Sequence, residues 1–355
     1  MARIELRSLA HSYLAQPAAD ADYALKSVDL TWDDGGAYAL LGPSGCGKTT
    51  LLNIISGLLR PSSGSVLFDG KDITGLAPNE RNIAQVFQFP VVYDTMSVYD
   101  NLAFPLRNRG VSEAQVAQRV RAIAEMTDLG DMLDRRAAGL TADGKQKISL
   151  GRGLVRDDVN VIMFDEPLTV IDPHLKWRLR SKLKELHQRV RSTMIYVTHD
   201  QTEALTFADH VVVMHEGRVV QQGTPVELFE RPRHTFVGHF IGSPGMNLLP
   251  CQADADGIWL HGRRVPLADA AVARELPGKL QLGIRPEFVQ VAREGWPASV
   301  LSVADAGRFR IVELDLAGDR LRMLIPEGQP VPERETGLRF VPEYTHLYQD
   351  GWIVE

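Results

Sequence analysis

The segment Gly42-Pro43-Ser44-Gly45-Cys46-Gly47-Lys48-Thr49 combines residue types and spacing suited to holding a phosphate chain. It fits the pattern G-x-x-x-x-G-K-[ST] in full. Glycines let backbone N–H groups wrap an anion, and a helix opening at Lys48 adds partial positive charge there. Lys48 is placed to reach the β- and γ-phosphates of a nucleotide, and the Thr49 hydroxyl to ligate Mg²⁺, with Thr50 beside it. Cys46 lies at the same helix start, where a thiol pKa tends to fall, so one reading is alkylation that bound nucleotide slows, and the plainer one is a small residue that fits the loop.

Three further groups narrow the chemistry. Val161-Ile162-Met163-Phe164 is an apolar strand that ends in two carboxylates, Asp165 and Glu166. Asp165 is suited to hold Mg²⁺. Glu166 can orient and polarise an attacking water as a general base. Thr198-His199-Asp200 follows the next strand, Met194 to Val197, and a histidine there can contact the γ-phosphate and keep water and Glu166 in register. Gln88 follows the strand Ala84 to Phe87, where it can touch Mg²⁺ or the water. Together these are the parts of a site that transfers a phosphoryl group from a nucleotide to water.

The elements that position them alternate strand and helix, as an α/β domain does. Ala37 to Leu41 is a buried-strand run, and Lys48 to Leu59 has a helical pattern. Asp172-Pro173 reads as an N-cap with Pro at N1, followed by one apolar face of Leu175, Leu179, Leu183, Leu186 and Val190. From about 89 to 155 the texture is helical. Ser97-x-x-Asp100 and Ser112-x-x-Gln115 look like capping boxes, and Val116, Val120 and Ile123 share a face. Thr224-Pro225-x-Glu227 opens a last short helix. Beyond it come strand-like runs, Leu280 to Ile284, Ala298 to Val303, Arg310 to Leu316 and Leu321 to Leu324, separated by Gly, Pro and Asp turns. That is the pattern of a small all-β barrel or sandwich. Two domains are expected, 1–240 and 241–355, with the helical insertion inside the first.

Composition limits the classes of function. The 355 residues are 44% hydrophobic and 24% charged, ordinary for a globular protein. No run approaches the roughly 20 apolar residues of a membrane helix, and the opening residues carry no secretory h-region, so a cytoplasmic chain is expected. Two cysteines, Cys46 and Cys251, make no disulfide framework. A net charge of -6 argues against a nucleic-acid surface.

The order of phosphate loop, Gln88, helical insertion, paired carboxylates, Thr198-His199-Asp200 and β-rich tail resembles the ABC ATPase family. More narrowly, residues 210–247 and Leu282-Gly283-Ile284-Arg285-Pro286-Glu287 resemble the maltose- and glycerol-phosphate-type importer ATPases. The resemblance implies a phosphate-loop NTPase core of ABC type with a helical subdomain and a C-terminal all-β OB-like domain. It implies ATP and Mg²⁺ as ligands, with Gly42, Pro43, Ser44, Gly45, Cys46, Gly47, Lys48, Thr49, Thr50 and Asp165 around the nucleotide. Thr49, Gln88 and Asp165 would hold the metal, and Glu166, His199, Lys48 and Gln88 would act in hydrolysis. Tyr13, ahead of Tyr23, matches the aromatic that stacks on adenine. Leu168 to Asp172 matches a loop that crosses a dimer interface. The surface from Phe89 to Tyr93 resembles the groove that grips a membrane subunit. The implied partners are two membrane-spanning permease subunits, a second ATPase subunit and, indirectly, a periplasmic binding protein. The place implied is the cytoplasmic face of the membrane.

One segment departs from the family. Leu140-Thr141-Ala142-Asp143-Gly144 stands where most members read Leu-Ser-Gly-Gly-Gln. In the family that segment faces the γ-phosphate bound by the other subunit. Ala142 adds a methyl group at that approach, and Asp143 adds a negative charge where an anion should sit, with Lys145 and the helix dipole to compensate. The expectation is a heterodimer with a non-identical ATPase in preference to a homodimer. The segments 86–96 and 140–156 resemble the ATPase pair of bacterial glycerol importers, so glycerol is favoured as cargo, with other sugars, polyols and polyol phosphates open. The alternative is a regulatory subunit that binds ATP without cycling.

Overall fold

A computed structural model describes residues 2–190, 192–267 and 276–354. Internal contacts divide the chain into two compact units, Met1–Pro225 and Val226–Glu355.

The first unit is α/β. Its six-stranded sheet runs, in spatial order, Arg218–Gly223, His210–His215, Ala37–Leu41, Met194–Thr198, Val161–Asp165 and Ile83–Val86. All neighbours are parallel except the first two, which form an antiparallel pair. Ala37–Leu41, Val161–Asp165 and Met194–Thr198 are buried at every residue. Strands covered on both faces need no polar alternation, which explains their continuous apolar runs. A second, antiparallel sheet orders Leu25–Trp32, Ile4–His11, Ser63–Phe68 and Lys71–Asp72. Leu51, Leu52, Ile54 and Ile55 of the helix Lys48–Ser56 share one core with Ile4, Leu6, Leu30, Trp32 and Leu40 from the two sheets.

That helix is shorter than the sequence pattern, which reaches Leu59. It stops at Ser56 because Gly57 takes a left-handed φ of 82°. Arg81, 2% exposed, then donates to the carbonyls of Ile54 (2.7 Å) and Ile55 (2.8 Å). The helical insertion contains Val98–Arg107, Glu113–Met126 and Ala142–Leu154. Ser97 caps the first as expected, its hydroxyl accepting from the Asp100 N–H at 3.0 Å. Ser112 does not cap through the backbone; its hydroxyl donates to Gln115 Oε1 at 2.8 Å. Val116, Val120 and Ile123 are buried on one face. In the helix Pro173–Val190, Leu179 and Leu183 are buried, while Leu175 and Leu186 are half-buried. The Val190 side chain lies outside the described residues.

The second unit is dominated by strands. Five form one sheet in the order Val289–Ala292, Glu335–Phe340, Trp296–Asp305, Phe309–Leu316 and Asp319–Pro326. A four-stranded and a three-stranded sheet complete it. One core, with Leu249, Leu282, Ile284, Leu314, Leu338 and Phe340, serves all three.

Compactness places the division about fifteen residues earlier than the change in sequence texture at 240/241. The reason is Arg285, 2% exposed, in the segment Leu282 to Glu287. Its guanidinium bonds the carbonyls of Phe229 and Ile241 and reaches those of Leu228 (3.3 Å) and Gly238 (3.4 Å). The helices Pro225–Glu230 and Thr235–Phe240 are thereby tied to the β strands. The Tyr348 hydroxyl adds a bond to Pro232 O at 2.7 Å. Burial lowers the Arg285 pKa to about 10, which still leaves it charged at neutral pH. Among the described residues no helix is long and apolar enough to cross a membrane.

Arg285→Met should strip these carbonyls of their donor and destabilise the second unit by about 3 kcal/mol. Denaturant unfolding followed by tryptophan fluorescence would show a lower midpoint for that unit, with nucleotide binding by the first unit retained. An unchanged midpoint would refute the anchoring role.

Candidate functional site

The phosphate loop joins the strand Ala37–Leu41 to the helix Lys48–Ser56. Two of its glycines have no room for a side chain. A Cβ on Gly42 would lie 2.3 Å from Met214 O, and one on Gly47 would lie 2.5 Å from Ala24 O. Gly47 also takes φ 102°, a left-handed value open to glycine and costly for others. Lys48 is 5% exposed, with Nζ 2.8 Å from Gly42 O and 3.0 Å from Pro43 O. Its ammonium is thus held over the mouth of the loop by two carbonyls and by the Cys46 sulfur at 3.7 Å, with no carboxylate among these bonds. Pro43, Ser44, Gly45 and Cys46 form the turn between, where Cys46 N donates to Pro43 O at 3.3 Å.

Cys46 corrects the sequence expectation. It is 3% exposed, and burial pushes its thiol up, outweighing the downward pull of Lys48. The helix start does not make it a reactive thiolate, because the side chain turns into the core.

The strand Val161–Asp165 delivers the two carboxylates. Asp165, 8% exposed, accepts from the Thr49 hydroxyl at 3.4 Å. Burial, then the neighbouring Glu166, push its carboxyl up, while Thr49 and Lys48 pull it down. A cation there would offset both upward causes. Thr49 and Asp165 supply a hydroxyl and a carboxylate, an oxygen set that suits a hard ion such as Mg²⁺, which keeps several of its waters. Gln88 lies beside Glu166, its amide nitrogen 3.4 Å from a carboxylate oxygen of that residue.

Glu166 is where the separate segments meet. Its backbone is left-handed, with φ 46°, and its N–H is fixed on Val197 O at 3.0 Å. One carboxylate oxygen lies 3.1 Å from His199 Nδ1. The other receives Gln88 Nε2 at 3.4 Å and lies 3.4 Å from the Thr169 hydroxyl, whose shorter bond is to the Glu166 carbonyl at 3.0 Å. His199 is half exposed while Glu166 is mostly covered, at 55% and 17% of their side chains. Parallel pairing of Asp165 with Val197 and of Leu41 with Thr198 makes this meeting possible. Tyr13 lies at the side of the phosphate loop. Its hydroxyl is 3.0 Å from Thr50 Oγ1 and its ring is 67% exposed, an available platform for a base.

The divergent segment opens the helix Ala142–Leu154. Thr141 is its N-cap, accepting from the Gly144 N–H at 3.3 Å. Asp143 does not face outward uncompensated: Lys147, one turn on, pairs with it at 3.1 Å. Lys145, expected to balance Asp143, pairs instead with Asp94 at 2.7 Å. The helical spacing i, i+4 decides between the two lysines. Sequence reasoning also missed Gln146. Fully buried, its amide donates to Phe87 O (3.1 Å) and Pro167 O (2.9 Å), tying this helix to the residues beside Gln88 and Glu166. Its only sequence signal is a polar residue on the inward face of a helix.

Next to the strand Ile83–Val86 a groove of about 300 Å³ is lined by Phe87, Val91, Phe104, Pro105, Asn108 and Arg152. Phe89 and Val91 are exposed at its edge. The Arg152 guanidinium lies 4.6 Å from the Tyr93 ring centre.

Comparison with known proteins agrees with this geometry. A family model described as "ABC transporter" matches residues 25–169. The "sn-glycerol-3-phosphate import ATP-binding protein UgpC 2" of Agrobacterium fabrum is 40% identical over 98% of this chain and 93% of its own length. The chain belongs to the ABC transporter ATP-binding family. It is an ABC ATPase, and it binds and hydrolyses ATP. A second model, "MalK OB fold domain", matches residues 242–289 of the β-rich unit of this ABC ATPase. The UgpC protein of Cupriavidus necator is 40% identical over 82% of this chain and 80% of its own. Among solved structures, cbiO1 from Clostridium perfringens aligns with a TM-score of 0.57 at 30% identity, over 64% of this chain and 90% of its own. The ATP-binding cassette MJ0796, a dimer in a post-hydrolysis state with ADP and Pi, aligns with a TM-score of 0.56 at 25% identity, over 62% of this chain and 98% of its own.

Gly47→Ala should weaken ATP binding by the ABC ATPase by at least about tenfold, since the loop must move to admit the methyl group. Titration with a fluorescent ATP analogue measures it, and wild-type affinity would contradict the close approach to Ala24.

Proposed function

We propose that this ABC ATPase drives an importer for a small polyol or its phosphate, bound to two membrane-spanning permease subunits at the cytoplasmic face of the membrane and served by a periplasmic binding protein. The observation that carries the hydrolytic part is the convergence of Gln88, Thr169 and His199 on the Glu166 carboxylate. A subunit that bound ATP without cycling would have no use for such an arrangement, so the regulatory alternative is set aside.

In the proposed mechanism Tyr13 stacks on adenine. Residues Gly42 to Thr50 wrap the phosphates, and Lys48 leaves its loop carbonyls to contact the β- and γ-phosphates. Thr49, Asp165 and Gln88 would hold Mg²⁺, which supplies charge neutralisation on the phosphate oxygens. Glu166 orients a water in line with the γ-phosphorus and takes its proton. The new P–O bond forms to the water oxygen as the bond to the bridging oxygen of ADP breaks. His199 holds Glu166 in place from one side and Gln88 from the other. The domain assignment in this reading follows the compact units, ATPase in 1–225 and accessory in 226–355. The groove beside Phe89 to Tyr93, lined by Phe87, Val91, Phe104 and Pro105 together with Arg109, Arg152 and Arg156, is proposed to seat the permease.

Two finer points follow. Free glycerol is the cargo the sequence favoured, while the relatives above are named for sn-glycerol-3-phosphate, which makes the phosphate ester the first candidate. The Asp143–Lys147 pair offsets part of the charge that pointed to a non-identical partner, which supports the simpler assembly. We therefore take a dimer of this chain as the working form.

Glu166→Gln should keep ATP binding and lower hydrolysis by about 10²-fold or more; a variant with unchanged turnover would remove Glu166 from the reaction. Specific ATPase activity of the purified chain should rise with its concentration. Activity that appears only on adding a different ATPase would restore the heterodimer. In vesicles holding the assembled importer, sn-glycerol-3-phosphate should stimulate hydrolysis more than glycerol, and a response to a disaccharide alone would overturn the cargo class.

A further inference from the structure

Glu203 is a buried acid that the mechanism above does not use. It lies on the helix Gln201–Phe207, directly after Thr198-His199-Asp200, and is 5% exposed. One carboxyl oxygen accepts from the Thr198 hydroxyl at 2.8 Å and from the Tyr196 hydroxyl at 3.2 Å. The other lies 4.0 Å from the Lys176 ammonium, on the helix that begins at Pro173. Tyr196 is fully buried; burial first, then Glu203, push its phenol well above the ordinary value, so it remains a donor.

These bonds close around His199. The Thr198 hydroxyl that donates to Glu203 also accepts from the Asp200 N–H at 3.0 Å. The Asp200 carboxylate in turn caps the helix, accepting from the N–H groups of Thr202 (2.7 Å) and Glu203 (3.2 Å). Of the residues on either side of His199, Thr198 is thus bonded to the Glu203 carboxyl group directly, and Asp200 through the Thr198 hydroxyl and the Glu203 N–H. The His199 ring is itself half exposed. Its place, 3.1 Å from Glu166, is set by the backbone that carries it.

We infer that Glu203 is a positioning residue for hydrolysis, acting through His199 by holding the Thr198–Asp200 turn. The inference rests on the role given to His199 above. It links this turn, the switch turn of the site, to Lys176, one turn after Asp172, so the helix behind the loop Leu168 to Asp172 shares the same anchor. Loss of the acceptor oxygen frees the turn and lets the imidazole leave Glu166, and small displacements of such groups cost rate steeply.

The test is a mutant cycle on ATP hydrolysis by the chain assembled with its membrane subunits, with ATP affinity and thermal unfolding measured on each variant. Glu203→Ala should lower kcat at least about tenfold with KM for ATP changed little. Glu203→Gln keeps an acceptor oxygen for both hydroxyls and should retain most of the rate. His199→Ala/Glu203→Ala should be no slower than His199→Ala, because the two act as a unit. If Glu203→Ala does not fold, Thr198→Val removes the same bond and should show the same dependence on His199. Losses that multiply in the double variant, or full activity in Glu203→Ala and Thr198→Val, would overturn the positioning role while leaving His199 in place. Full activity in His199→Ala would overturn the His199 reading, and this inference with it.

Discussion

Parallel pairing of three buried strands is the constraint on which the site depends. Ala37–Leu41, Met194–Thr198 and Val161–Asp165 lie side by side, with Leu41 opposite Thr198 and Val197 opposite Asp165. Each strand therefore ends at the same edge of the sheet. The phosphate loop, the switch turn and the carboxylate pair leave that edge as neighbours, although up to about 150 residues separate them in the chain. Open α/β sheets bind ligands at the carboxyl ends of their strands for this reason. A slip of one residue would turn Asp165 away and part Glu166 from His199.

Buried polar groups then hold the edge to the rest of the first unit. Arg81 closes the far end of the phosphate-loop helix. Gln146 joins the helix behind Thr141 to Phe87 and Pro167, next to Gln88 and Glu166. Glu203 joins the switch turn to the helix carrying Lys176. Each of these side chains is costly to bury unless its bonds are made, so each favours one arrangement of its neighbours over slightly shifted ones. In the proposed importer that arrangement would carry motion from the nucleotide to other subunits, and polar joints between packed elements suit that task.

The chemistry was legible early because it is local. A phosphate loop needs glycines, a lysine and a threonine at fixed spacing, and an acidic strand end needs only its apolar run and two carboxylates. The α/β order, the strands, the helical insertion and the β-rich tail followed from periodicity and turn residues. Two local readings failed where the third dimension intervened. Cys46 was judged by its helix start, yet its side chain turns into the core, and desolvation outweighs the helix end and Lys48. Asp143 was given Lys145 and the helix dipole as its balance, yet helical spacing gives it Lys147, while Lys145 reaches across to Asp94.

By itself, then, the sequence determined the nucleotide-binding chemistry, the family and the order of elements, since these depend on residue types within a few positions of one another. Tertiary structure decided which side chains meet. It brought Gln88, Thr169 and His199 to one carboxylate, buried Glu203 under the switch turn, and assigned the helices of 225–240 to the β-rich unit through Arg285. Those meetings depend on strand register and on which carbonyls are left without donors after folding, and both are properties of the packed chain as a whole.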